Sequence, residues 1–369
     1  MGSIAEVAQK GVEQDDLVMP LAHTDTTFPI RSLTSHFYQL IDFGAFLHGD
    51  ATTKKTTAEQ ISHAFKTSGF LYLQNHGIPE DHVKLAFSES ADFFKRPQDQ
   101  KDSLKWTTPD ANRGYVTWGR EKVTQSDDPD EIAKLRASNP DLKESVEIGR
   151  EGVEGKPNQW PDGLDEQGKV FTRDMQRFFL TLKDLHVDVM RAIALGMGLD
   201  EHFFDSYTDG GDNTLRLLHY PPVKKSLWKA NPNQVRAGEH SDYGSITLLF
   251  QDEIGGLEVK SPKGTWVRAT PIPGTIVVNA GDLLQRWSND IIRSTNHRVI
   301  QPPPKDTGSD ADDDPDACVP ARYSIAYFCN PNFDRHIEAL PGTWDPADKP
   351  KYPGINSGDY LVMRLAATY

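Results

Sequence analysis

The chain has 369 residues, 37% of them hydrophobic, a net charge of −14 and a pI near 5.3. That length can bury a substantial core in one large domain or two intimately joined parts, and the acidic balance argues against nonspecific binding to nucleic acid or anionic membranes. No apolar run approaches the roughly 18 residues a membrane span needs, the start lacks the apolar core of a signal peptide, and two cysteines, Cys318 and Cys329, make no disulfide framework, so a reducing, cytosolic setting is expected.

Residues 1–18 are polar and read as disordered. The stretch 22–40 interrupts a run that would otherwise pass from Leu21 to Ile41-Asp42-Phe43, and reads as an insertion in an N-terminal region spanning 19–150. Spacing predicts a helix over 57–68, a strand over 69–75 and a helix over 81–94 with Val83, Leu85, Ala86, Phe93 and Phe94 on its apolar positions. His76 stands before the turn Gly77-Ile78-Pro79 and reads as structural. Irregular strands are expected over 112–122 and 141–149. The segment 151–214 reads as helical backing, with a long amphipathic helix over 171–198.

From residue 215 to 369 the texture changes to short strands and tight turns. Eight strands are predicted, over 215–220, 235–240, 245–250, 256–259, 266–269, 275–279, 297–300 and 322–328. Turns such as Gly255-Gly256, Pro262-Lys263-Gly264 and Pro273-Gly274 separate several of them. Many short strands without intervening helices imply a mainly β core, a closed or two-sheet jelly roll, with the earlier helices outside it (α+β). The segment 301–320, rich in Pro, Asp and Gly, reads as a solvated acidic loop.

His240, Asp242 and His297 stand out chemically. In an extended strand residues i and i+2 share a face, so the first two point the same way. A second imidazole 55 residues after Asp242 can close the 2-His-1-carboxylate face of an octahedral iron, leaving three positions open. The spacing alone is weak, because His-x-Asp also occurs at His23/Asp25, His48/Asp50 and His186/Asp188. The last lies in a helical pattern, where i and i+2 diverge by about 200°. Only the His240 pair is followed by a strand carrying Arg322 and Ser324 on one face, with Ala326 and Phe328. A guanidinium fork beside a hydroxyl suits a carboxylate. On the 215–220 strand Arg216, Leu218 and Tyr220 share a face; with Tyr220 inward, Arg216 enters the cavity ~13 Å further along. A buried guanidinium needs an acceptor, either substrate oxygens or an acidic side chain. Phe328 and Tyr243 offer either aromatic faces for a planar substrate or ordinary core packing.

These residues, with Asn75-His76-Gly77-Ile78-Pro79, His219-Tyr220-Pro221-Pro222, Val278-Asn279-Ala280-Gly281-Asp282 and Ser294-Thr295-Asn296-His297-Arg298, resemble the Fe(II)/2-oxoglutarate-dependent dioxygenases. The resemblance implies a distorted double-stranded β-helix with flanking helices, and Fe(II), 2-oxoglutarate and O2 as cofactor and co-substrates. It implies that His240, Asp242 and His297 ligate iron, and that Arg322 and Ser324, with Tyr220 nearby, hold the far carboxylate of 2-oxoglutarate. Within the family the stretches 112–125, 141–151, 235–252 and 364–369 are most similar to fungal enzymes that hydroxylate the methyl group of thymine. That likeness implies a free pyrimidine base held by Arg216, Tyr243 and Phe328, with no nucleic acid, membrane or obligate protein partner. The remaining readings are the same chemistry on another small molecule, an oxidase resembling isopenicillin N synthase that dispenses with 2-oxoglutarate, and a catalytically dead binding protein.

Overall fold

The computed structural model describes residues 37–106, 112–119, 141–231, 234–302 and 317–366. The terminal stretch 1–18, the run 303–316 of the acidic loop and His23/Asp25 lie outside them. Besides a small two-stranded ribbon near the C-terminus, His336–Ile337 with Ile355–Asn356, the described strands are β1 (Gln39–Asp42), β2 (Phe70–Gln74), β3 (Gly114–Val116), β4 (Glu144–Gly149), β5 (Thr214–Tyr220), β6 (Val223–Lys224) and β7 (Ala237–His240). They continue with β8 (Ile246–Gln251), β9 (Leu257–Lys260), β10 (Trp266–Arg268), β11 (Thr275–Ala280), β12 (His297–Val299), β13 (Cys318–Val319) and β14 (Arg322–Cys329). All eight strands expected after residue 214 are present, their ends moved by one or two residues.

Eight strands form a major sheet in the order β1-β2-β11-β8-β14-β5-β4-β3, and four form a minor sheet in the order β10-β9-β12-β7. The period-2 alternation of side chains divides the interior in two. Phe70, Tyr72, Leu218, Tyr220, Val277 and Ala326 face the minor sheet. Leu71, Leu73, Leu215, Leu217, Ile246, Leu248, Ile276, Val278, Ile325 and Tyr327 face the helices on the outside. This is the expected jelly roll, and the strands of the N-terminal region extend its major sheet at both edges.

Two helices supply most of the outer layer. Helix Ala51–Thr67 is capped by Asp50, whose side chain accepts from the Thr53 N–H, and buries Ala58, Ile61, Ala64 and Phe65 at helical spacing. Helix Glu166–Gly196 starts at Asp165, which accepts from the Gly168 N–H, and buries a stripe from Phe171 through Phe178, Leu182 and Val189 to Ile193. Asp165 is also gripped by both terminal nitrogens of Arg96 at 2.7 and 2.9 Å, which holds its carboxyl down to about 2. The two helices touch where Gly196 meets Ala58; a Cβ there would stand 2.2 Å from the Ala58 carbonyl oxygen. The sequence reading missed helices Asp282–Trp287 and Ser357–Ala366. The first is too short to show a periodic pattern of its own.

The supposed insertion at 22–40 needs correcting at its C-terminal end, whereas 22–36 lie outside the described residues. Residues 39–42 form β1, which pairs in parallel with β2. Tyr38 is buried, packs edge-on against Tyr72 at 5.7 Å and donates its hydroxyl to the Val267 carbonyl at 2.8 Å. The edge of the sheet therefore begins inside that stretch. Replacing Tyr38 by Ala is expected to cost about 3 kcal/mol of stability in urea unfolding, since it empties an aromatic site between the sheets.

The decoy histidines are explained by their surroundings. His48 ends a short helix and Asp50 is spent as a helix cap. His76 is buried, and its Nδ1 accepts from the Ile78 N–H at 3.3 Å. His186 lies fully buried in the long helix, its Nδ1 3.4 Å from the Asn213 amide nitrogen. Burial pushes His186 down from 6.5 to about 3, so it folds neutral. The unfolded chain binds the proton more readily, so this contribution is whole above pH 6.5 and shrinks as pH falls from there toward 3. The acid limb of urea stability should steepen by up to ~1.4 kcal/mol per pH unit from this group, and His186→Gln should remove that component.

Candidate metal centre and ligand cavity

β7 and β12 run antiparallel with His240 directly opposite His297, which brings the imidazoles to 4.2 Å between centroids. β7 ends at His240, so Asp242 lies in the link to β8 rather than in the strand. It still converges on the pair: its Oδ1 stands 4.0 Å from His240 Nε2 and 3.8 Å from His297 Nε2. Among the described residues these three form the one cluster with metal-ligand geometry, all ligand atoms within 4.8 Å of one another.

The surroundings orient each ligand. His240 Nδ1 stands 2.8 Å from the Gly238 carbonyl oxygen and His297 Nδ1 3.2 Å from that of Thr295. A carbonyl can only accept, so both Nδ1 atoms carry hydrogen and both Nε2 atoms present lone pairs inward. Asp242 Oδ2 accepts from Thr247 Oγ1 at 2.6 Å and from Asn279 Nδ2 at 2.7 Å, leaving Oδ1 for a metal. Burial opposes ionisation of Asp242, yet the two imidazoles and these two hydrogen bonds hold its carboxyl below the usual range. Burial, with the His297 imidazole beside it, holds His240 well below the usual histidine range, so it is a neutral donor at neutral pH. Two imidazoles and a carboxylate on one face are the donor set of a non-haem iron.

The same cavity is lined by Arg322, Ser324 and Tyr220. Arg322 lies across from Tyr220 in the β14–β5 register, with its guanidinium carbon 4.9 Å from the Tyr220 ring centroid. It is 1% exposed and donates to Ser324 Oγ at 3.1 Å, while its Nε has no hydrogen-bond partner among the described residues. A buried guanidinium with an unanswered N–H beside a hydroxyl fits the far carboxylate of 2-oxoglutarate. A second buried arginine, Arg236, faces the Tyr220 ring at 5.9 Å and donates to the Pro320 carbonyl at 2.5 Å. Burial, then the charge of Arg322, pushes it down to about 10, so it remains a cation at neutral pH.

Arg216 and Phe328 also line the cavity. Arg216 meets an acid: its Nε stands 2.6 Å from Glu147 Oε1, directly across from it in the β4–β5 register. Its guanidinium carbon lies 5.0 Å over the Phe328 ring, so the fork is held from behind and faces the cavity. Tyr243 packs differently: its ring lies 4.3 Å beneath the Arg364 guanidinium of the C-terminal helix. It sits beyond the end of β7, where strand alternation no longer dictates direction. Arg364 in turn donates to Asp282 Oδ2 at 2.5 Å, which also accepts from Ser241 Oγ at 3.0 Å, tying that helix to the turn beside Asp242.

Sequence reasoning missed Thr247, Asn279, Glu147 and Lys143. The first two carried a signal, since each is a polar residue on the inward face of an otherwise apolar strand. Glu147 needed the β4–β5 register, and Lys143 precedes the strand where alternation begins. Replacing Asn279 by Leu is expected to weaken metal binding 10- to 100-fold, because it frees one oxygen of Asp242 from its restraint. An anaerobic Fe(II) titration checks this.

The chain matches two family profiles. Residues 39–163 match the non-haem dioxygenase in morphine synthesis N-terminal region, and 211–331 match the 2OG-Fe(II) oxygenase superfamily. A 2-oxoglutarate-Fe(II) type oxidoreductase, ppzD, of Metarhizium rileyi is 34% identical, covering 89% of this chain and 90% of the relative. A proline hydroxylase, buaE, of Petromyces alliaceus is 34% identical over 89% of this chain and 98% of its own length. The crystal structure of Neurospora crassa thymine 7-hydroxylase with α-ketoglutarate and thymine superposes with a TM-score of 0.81 at 57% identity, covering 90% of this chain and 97% of that one. The same enzyme with 5-formyluracil gives 0.78 at 54% identity, covering 89% and 96%.

Proposed function

The chain belongs to the 2-oxoglutarate–Fe(II) oxygenase superfamily and is a 2-oxoglutarate-dependent dioxygenase, and from that premise we propose that its substrate is free thymine, hydroxylated on the 5-methyl group to 5-hydroxymethyluracil. Repeated turnover would carry the product on to 5-formyluracil and 5-carboxyuracil. The observation that carries this reading is the substrate side of the cavity, where Arg216 is fixed by Glu147 and laid over Phe328. The likeness to the thymine- and 5-formyluracil-bound Neurospora crassa enzyme at 57% and 54% identity supports it.

His240 Nε2, His297 Nε2 and Asp242 Oδ1 would hold iron, which when bound supplies the oxidation of a C–H bond by O2 with conversion of 2-oxoglutarate to succinate and CO2. Arg322 and Ser324, with Tyr220 at their side, would neutralise and orient the far carboxylate of 2-oxoglutarate. Arg216 would donate to a ring oxygen of the base while Phe328 offers a face to its plane, so that the methyl group points at the open side of the centre. Tyr243, on the link beyond β7, would offer the base a second aromatic face. Positioning of this kind is what the protein adds to chemistry that belongs to the cofactor. The reading places the enzyme in the cytosol as a free small-molecule enzyme, consistent with its free thiols at Cys318 and Cys329.

A second reading keeps the reaction and changes the substrate. It is favoured by relatives at 30–34% identity with other names, the proline hydroxylase of Petromyces alliaceus among them. The deciding measurement is succinate formed from O2 and 2-oxoglutarate by Fe(II)-loaded enzyme, with and without thymine. Succinate matched by 5-hydroxymethyluracil is the expected outcome. Slow succinate that thymine does not stimulate would leave the dioxygenase and remove the pyrimidine.

A further inference from the structure

The co-substrate end of the cavity holds a second buried cation besides Arg322. Arg236 leads into β7, the strand that ends on His240, and its N–H donates to the Val299 carbonyl at 2.8 Å. Val299 and Ala237, the next residue along, both line the cavity. The Arg236 side chain is fully buried. One terminal nitrogen donates to the carbonyl of Pro320, two residues before Arg322. Its Nε and other terminal nitrogen have no hydrogen-bond partner among the described residues, and the Nε of Arg322 has none either. Both guanidinium groups face the Tyr220 ring, at 5.9 Å for Arg236 and 4.9 Å for Arg322.

The neighbouring charges leave this pair uncompensated. The β4–β5–β14 register puts Lys143 in the row of Tyr220 and Arg322, but Lys143 has its own acid. Its Nζ stands 3.6 Å from Oδ2 of the buried Asp141, whose Oδ1 accepts from the Gly238 N–H at 3.1 Å. The acid whose charge reaches both arginines is Asp252. It is committed elsewhere, since Oδ2 accepts from the Tyr323 N–H at 2.6 Å and Oδ1 from the Ile254 N–H at 3.0 Å. Two guanidinium groups against one carboxylate leave a single positive charge buried there, which is costly until an anion answers it. The far carboxylate of 2-oxoglutarate carries the one negative charge required.

We propose that Arg236 is a positioning residue for 2-oxoglutarate, acting on the far carboxylate by its charge and through the Tyr220 ring it shares with Arg322, so that the enzyme selects a 2-oxo dicarboxylate over a 2-oxo monocarboxylate. Arg322 and Ser324 hold the carboxylate directly. Arg236 works at longer range, because a charge in a dry site is felt far more strongly than in water. Its bond to Pro320 also ties the start of β7, which presents a metal ligand, to the approach of β14, which presents Arg322. The inference rests on assigning Arg322 and Ser324 to the far carboxylate, and is independent of which molecule is hydroxylated.

The test is anaerobic calorimetric titration of Fe(II)-loaded enzyme with 2-oxoglutarate and, separately, with 2-oxopentanoate, which has the same carbon chain without the far carboxylate. The wild type is compared with Arg236→Gln, Arg236→Met, Arg236→Lys and Arg322→Met. Arg236→Gln keeps a donor for the Pro320 carbonyl and removes the charge; it should weaken 2-oxoglutarate about tenfold and leave 2-oxopentanoate within about twofold. Arg236→Met should show the same selective loss without the tether, and Arg236→Lys should keep most of the preference. Unchanged affinity for 2-oxoglutarate in the two neutral variants would overturn the inference. So would an equal loss for 2-oxopentanoate, the mark of a merely structural arginine. Arg322→Met should abolish the preference for the dicarboxylate; if it does not, the far carboxylate lies elsewhere, and the assignment of Arg322 falls together with the inference built on it.

Discussion

The hydrogen bonds that cross from the major sheet to Asp242 are the constraint on which the site depends. Thr247 on β8 and Asn279 on β11 are direct cross-strand neighbours, and both donate to the same carboxylate oxygen. Asp242 itself belongs to the minor-sheet side, in the link that follows β7. The pair therefore fastens the two sheets together at the point where His240 and His297 meet. It also breaks the symmetry of the carboxylate, assigning one oxygen to the protein and one to the metal. A one-residue slip of β8 against β11 would turn Thr247 to the helix side and remove one of the two donors.

Charge in the space between the sheets is handled in two ways. Arg216 is answered by the buried Glu147 of β4, and Lys143 by the buried Asp141 two residues before it. Removing either acid would strand a buried cation at a cost of roughly 3–5 kcal/mol. Toward the far end, Arg322 and Arg236 both face Tyr220, and their guanidinium groups are answered by a hydroxyl and a carbonyl. Among the described residues, neither is neutralised by a direct ion pair to a carboxylate. The β4 arm is thus as much a part of the site as the jelly roll, although it comes from the N-terminal region.

The outer helices act on the site only through the sheet they cover. Their apolar stripes press on the outward residues of β14, β5, β8 and β11, which leaves the inward residues of the same strands no freedom to exchange faces. His186 belongs to this layer, and its neutrality is a consequence of burial there. The C-terminal helix is different, because Arg364 reaches the turn beside Asp242 through Asp282 and Ser241.

The sequence by itself determined the eight strands expected after residue 214, which faces they turn inward, and that His240, Asp242, His297, Arg322 and Ser324 belong together. These follow from period-2 alternation and short spacings, which are local properties of the chain. Arg216 and Phe328 take their inward faces for the same reason, whereas Tyr243 lies past the end of β7, where alternation gives no direction. The tertiary structure alone decided what each of these residues touches. Thr247 and Asn279 on Asp242, Glu147 behind Arg216, Asp141 between Lys143 and Gly238, and Arg364 over Tyr243 all join segments remote in sequence. Such contacts depend on strand order and register, which arise only when the sheets close on one another, and no local pattern encodes them.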